Sequence, residues 1–195
     1  DWKAYRTGKT LSRNVSAIYH NRTIWLSIIG VSLFWSVSQV MLAVFPAVAE
    51  SHHGMHNTFV IQGTMALAGV GIMVGSLLAG RWSPHYINIG LIPLGAVGIA
   101  TGLVLLPQAA SVYSQGGIFF LIGLSGALLN VPLQSLIQFN AGQKETGKVL
   151  AGSNFIQNIA MLGFLGLTVL FAWAGIDGLW LLRLLAFIAV IGALC

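Results

Sequence analysis

Charge is what this sequence has least of. Asp, Glu, Lys and Arg make up 7% of its 195 residues, with four acidic side chains against nine basic ones. A soluble domain carries roughly a quarter charged residues, so an ordinary water-facing surface is excluded. Cysteine is almost missing as well. Cys195 stands alone in an apolar run, which rules out an internal disulfide and a thiolate metal cluster. No carboxylate lies deep in an apolar stretch, because Glu50 and Asp177 both fall at margins. A proton-coupling acid would have to be Glu50 or belong to another part of the protein.

What is present is apolar length. Hydrophobic residues are 56% of the chain and mean hydropathy is +0.86. Segments of roughly 20 apolar residues, enough to cross a bilayer, follow one another almost without pause. Six fit, over residues 24–48, 58–79, 87–106, 117–139, 149–173 and 178–195. The expected fold is an all-α integral membrane protein, with a basic connector over 1–22 and a six-helix lobe over 23–195.

Positive charge orients these spans, since short cytoplasmic loops keep Lys and Arg while translocated ones lose them. Lys3, Arg6, Lys9, Arg13 and Arg22 precede span 1, Arg81 follows span 2, and Lys144 and Lys148 separate spans 4 and 5, which is eight of the nine. The loops after spans 1, 3 and 5 hold no Lys or Arg. Both ends of the lobe are therefore expected in the cytoplasm. The net charge of +5 reads as a topology signal with some attraction to anionic headgroups, not as a nucleic-acid surface. The first 22 residues read as a cytoplasmic connector on the membrane surface, with a disordered tail as the alternative. The chain opens without Met and stops inside an apolar run, so a longer protein is expected.

Small residues recur at four-residue spacing, as in Gly71, Gly75 and Ala79 on span 2 and Gly98 and Gly102 on span 3. Such stripes let helix backbones approach closely in lipid. Polar rows are rarer. Asn130, Gln134 and Gln138 share a face of span 4, Asn154, Gln157 and Asn158 a face of span 5, and Ser32, Ser36 and Gln39 a face of span 1. An unpaired amide in hydrocarbon costs several kcal/mol, so these rows should face protein or water. Either the carboxamides bond to one another as packing glue, or they line a cytoplasm-facing cavity, with Pro132 loosening span 4 between them. Arg183 is the single clear intramembrane charge. It either snorkels to the outer interface or contacts a phosphate.

Enzyme and metal readings find little support. Gly123, Leu124, Ser125 and Gly126 spell GLSG, which resembles the nucleophile motif of rhomboid intramembrane proteases. A base is missing, because His20, His52, His53, His56 and His85 all lie in loops or flanks. Ser125 is expected to be a packing residue. The SHHGMH cluster has His52, His53 and His56 but no acidic or cysteine ligand at defined spacing, so a solvated loop is expected rather than a metal site. Phosphate-loop, dinucleotide and zinc motifs do not occur, and no cofactor is expected.

Six spans with both ends inside, led by a basic connector, resemble the C-terminal half of a major facilitator superfamily transporter. Gly75–His85, GSLLAGRWSPH, is similar to that superfamily's loop after the second helix of each half, with Gly75 and Arg81 matching and Gly80 and Ser83 replacing the usual Asp and Gly. Over Gly69–Gly166, GVGIMVGSLLAGR, IPLGAVGIATGL, NVPLQSLIQ and NFIQNIAMLGFLG follow the order seen in bacterial lysophospholipid transporters of the LplT family. That resemblance implies inward movement of lysophospholipids, chiefly lysophosphatidylethanolamine, across the bacterial inner membrane by alternating access against an N-terminal lobe. It also implies membrane lipids as partners and a fused or separate acyltransferase. The substrate-contacting residues expected are Ser36, Gln39, Asn130, Gln134, Asn154, Gln157, Asn158 and Arg183. The alternatives are a drug or small-solute transporter of the same superfamily and a noncatalytic membrane module tethering an acyltransferase.

Overall fold

A computed structural model describes residues 21–53 and 56–194. Of the connector expected over 1–22, only the last two residues fall within this range. Among the described residues every regular element is helical, one of the two ways a chain in lipid can satisfy its own backbone hydrogen bonds.

Helix α1 spans Arg22–His53. The Asn21 side chain caps it by accepting from the Thr23 and Ile24 amides at 3.0 and 3.3 Å. Helix α2 spans Thr58–Arg81 and starts at Asn57, which accepts from the Phe59 amide at 2.9 Å. Helix α3 covers Leu91–Leu105 and continues as a single 3-10 turn, Leu106–Gln108. It begins four residues later than the apolar run suggests. Asn88 donates to the Trp82 carbonyl and accepts from the Gly90 amide, which holds the preceding segment as a turn.

Helix α4, Val112–Gly142, begins with a reciprocal Ser111–Ser114 cap. Helix α5, Glu145–Trp173, follows almost without a break. The bend between them sits at Gly142, whose φ of 67° and ψ of 154° belong to a region that only glycine enters readily. A second glycine, Gly175, with φ 76°, ends α5. There the Ile176 amide bonds the Phe171 carbonyl at 3.0 Å and the Gly175 amide bonds Ala172 at 3.1 Å, the paired closure that a left-handed residue permits. Helix α6 spans Gly178–Leu194.

Five helices, α1, α2, α3 together with its 3-10 turn (Leu91–Gln108), α4 and α5, are long and apolar enough to cross a membrane. The sixth is equally apolar but has 17 residues, slightly under the usual spanning length.

Helix α4 is the hub, packing against α1, α2 and α3, while α6 leans on α3 and α1. The small-residue stripes do this work. A side chain at Gly71 or Gly75 would run into the Phe120 and Leu124 backbone of α4, and one at Gly123 would run into Ala68 of α2. On the other flank, Gly98 and Gly102 abut Ser125 and Ile122. Phe34 occupies the space over Gly126, and Phe45 meets Phe119 edge to face at 4.7 Å between ring centres. Backbones this close leave no void for lipid, and dispersion contacts replace the hydrophobic drive that water would provide.

The first turn of α1, the α2–α3 turn and the last turns of α4 share one cavity of about 750 Å3, so these chain ends lie together. At the opposite end Gly178 packs on Val44 and Val48, and Gln115 donates to the Ala109 carbonyl at 3.0 Å. The described basic residues divide accordingly: Arg22, Arg81 and Lys148 belong to the first end and Arg183 to the second.

Candidate functional site

Three helices carry the polar rows, and their surroundings differ. On α4, Asn130 and Gln134 are half-buried and Gln138 is exposed. The Asn130 Oδ1 is enclosed yet has no hydrogen-bond partner, and Gln134 makes none within the described residues. On α5, Gln157 is buried and donates to the Ser153 hydroxyl at 2.8 Å. Asn154 and Asn158 turn outward instead, Asn158 donating to the Asn154 carbonyl at 2.8 Å. No hydrogen bond joins an α4 carboxamide to one on α5 among the described residues. The packing-glue geometry is thus not the arrangement found; each bond that does form is local to one helix.

On α1 the expected row splits. Ser32 and Ser36 are buried with unpartnered hydroxyl oxygens, while Gln39, at a different angle around the helix, is exposed. Buried helix hydroxyls usually turn back to the carbonyl four residues earlier, as Thr64 does to Val60 at 2.8 Å. Ser32 and Ser36 do not. An enclosed polar atom with no partner costs about 1–3 kcal/mol, so these oxygens and Asn130 Oδ1 are poised to gain from water or a polar ligand.

Arg183 lies apart from these rows. It is exposed, stands over the Trp180 ring at 5.2 Å, and borders a crevice with Gln108 between α3 and α6. Gly102 of α3 packs on Ile122 of α4, and Asn130 lies eight residues, about 12 Å, further along α4, so Arg183, which borders Val104 and Gln108 beyond Gly102, stands more than about 12 Å from Asn130 along the bundle axis.

Two polar features escape a reading of spacing alone. Ser153 is the partner that lets Gln157 turn inward, and its four-residue offset is the signal that could have found it. Gln115 is fully buried at the start of α4, in a stretch that hydropathy places outside the span. Ser125 is buried against Gly95 and Gly98, a packing position. The side chains of His52 and His53 lie outside the described residues, while exposed His56 approaches Glu50 at 4.0 Å. The described residues hold no group of three or more His, Cys, Asp or Glu that could ligate a metal.

Comparison with known proteins agrees with this all-helical arrangement. The family profile of the Major Facilitator Superfamily matches residues 3–164. A lysophospholipid transporter LplT from Photorhabdus laumondii is 27% identical over 169 residues, covering 85% of this chain and 42% of the relative. The protein of the same name from Klebsiella pneumoniae subsp. pneumoniae is 28% identical over 165 residues, covering 80% and 41%. One from Escherichia coli O139:H28 is 23% identical over 177 residues, covering 90% and 44%. The chain spans less than half the length of these curated relatives. No solved structure gives a significant match. With most of its length matched by the family profile and its apolar helices packed through glycine stripes, the chain belongs to the Major Facilitator Superfamily of non-enzymatic membrane transporters.

Proposed function

We propose that this chain is the C-terminal six-helix lobe of a lysophospholipid transporter, moving chiefly lysophosphatidylethanolamine inward across a bacterial inner membrane by alternating access against an N-terminal lobe. The observation that carries the reading is the set of enclosed oxygens without a partner, Asn130 Oδ1 on α4 and the Ser32 and Ser36 hydroxyls on α1, in a chain whose relatives are named lysophospholipid transporters. A zwitterionic headgroup has a phosphate that accepts and an ammonium that donates. Neutral carboxamides answer both without burying a net charge. Asn130 and Gln134 on α4, Asn154 and Asn158 on α5, and Ser36 and Gln39 on α1 would contact the headgroup, with Gln157 held behind them by Ser153. Apolar helix surface would keep the acyl chain.

Orientation follows from the basic end. Arg22, Arg81 and Lys148 would face the cytoplasm, so a cysteine replacing exposed Ala110 should react with an impermeant maleimide from outside, and one replacing Glu145 should not. Reversed labelling overturns the orientation. The activity itself is tested by uptake of labelled lysophosphatidylethanolamine into vesicles holding the full-length protein. Uptake above empty vesicles supports the reading; movement of a cationic dye without the lysolipid would place the protein among small-solute transporters instead.

A further inference from the structure

The crevice that holds Arg183 has the parts of a second lipid site. It opens between α3 and α6 with a volume of about 450 Å3. At its mouth are the Arg183 guanidinium and the Gln108 carboxamide; below them the walls are Val104, Phe187 and Val190, all exposed at the helix surface. Along the same two helices the seam continues to Ile99 and Ile188, which line an apolar hollow reaching α1. A fixed cation above a strip of aliphatic and aromatic surface is the pattern of a phospholipid: phosphate at one end, hydrocarbon at the other.

Both polar groups are oriented for this. Arg183 stacks over Trp180, which is itself 62% exposed. The ring holds the cation beside it while the guanidinium stays exposed, and a free guanidinium edge can pair with two phosphate oxygens at once. Gln108 spends one N–H on the Val104 carbonyl at 2.9 Å, capping α3. Its remaining N–H and its Oε1 make no bond within the described residues, so they are available to phosphate and glycerol oxygens.

We infer that the α3–α6 crevice binds a glycerophospholipid of the surrounding bilayer, with its phosphate on Arg183 and one acyl chain along Val104, Phe187 and Val190. This site is separate from the headgroup contacts proposed on α4 and α5, and it forms whichever solute the protein moves.

The test reads retained lipid, not transport. Full-length protein, delipidated in detergent, is exposed separately to palmitoyl-oleoyl phosphatidylethanolamine, to diacylglycerol with the same chains, and to inorganic phosphate, and bound molecules are counted by native mass spectrometry. The wild type should retain the phospholipid and neither of the others. Arg183→Gln should weaken retention about tenfold and Arg183→Lys by less, since a lone ammonium loses the two-point pairing. Val104→Trp should reduce retention with Arg183 intact, by filling the space for the chain. Equal retention of diacylglycerol overturns the phosphate contact, and binding of free phosphate alone overturns the lipid. Wild-type retention in a folded Arg183→Gln protein overturns the site. The diacylglycerol and phosphate comparisons use the unmodified protein and decide the phosphate requirement, while Arg183→Lys and Val104→Trp test the location even if Arg183→Gln fails to fold.

Discussion

Helices α4 and α5 are consecutive, joined at Gly142, and almost equally apolar, yet their burial is opposite. Over the most apolar stretch of each, 61% of α4 lies inside the bundle and 6% of α5 does. Glycine shows the same contrast. Gly123 and Gly126 of α4 are pressed against Ala68 and Phe34, whereas Gly163 and Gly166 of α5 have nothing within 4 Å. Apolarity therefore explains why both helices are stable in lipid, but small residues in register with a neighbour decide which one becomes the core. It follows that a carboxamide means different things on the two helices. On α4, Asn130 is an enclosed group without a partner; on α5, Asn154 and Asn158 lie on open surface.

The contrast is broken most forcefully by adding side chains to the glycines. Gly123→Leu places a side chain against the Ala68 backbone, and overpacking of this kind costs about 1–3 kcal/mol or more. The expected result is a marked fall in folded yield and melting temperature in detergent. Gly163→Leu, with open space around it, should melt within about 0.5 kcal/mol of the wild type. Equal damage from both would mean that α5 is packed as tightly as α4.

A smaller effect is expected at the exposed carboxamides. Asn158→Leu should leave melting unchanged while lowering lysolipid uptake about tenfold, the loss of roughly 1.4 kcal/mol of headgroup contact. A drop in melting that matches the drop in uptake would return Asn158 to a structural role. Smaller still is Gln157→Leu, which removes the buried bond to Ser153. A hydrogen bond within a membrane protein contributes about 0.6 kcal/mol, so a shift of that size in a chemical or thermal unfolding series is expected. A shift several times larger would indicate that Gln157 has partners beyond Ser153.

Much of this architecture was legible in the sequence, for physical reasons that also mark where legibility ended. The helices and the glycine stripes at Gly71, Gly75, Gly98 and Gly102 follow from length, hydropathy and four-residue spacing. Helix ends were less so: Asn88 delays α3, and the Ser111–Ser114 cap starts α4 five residues early. The candidate site was legible as rows but not as contacts. Ser36 and Gln39 fall on one apolar helix, and only the neighbours of α1 determine that the first is enclosed and the second open. In the same way nothing along α5 beyond Asn158 distinguishes an open side from a packed one, since both are apolar. Arg183 draws its surroundings from α3, some 75 residues away in sequence, which no local pattern encodes.

The open carboxamide face is tested most directly by measuring lysophosphatidylethanolamine uptake and melting temperature together in a Gln134→Leu, Asn154→Leu, Asn158→Leu triple variant of the full-length protein. Normal insertion, melting close to that of the wild type, and uptake reduced at least as far as in the single Asn158→Leu variant are expected. A stable, correctly inserted triple variant that imports the lysolipid at the wild-type rate would contradict it.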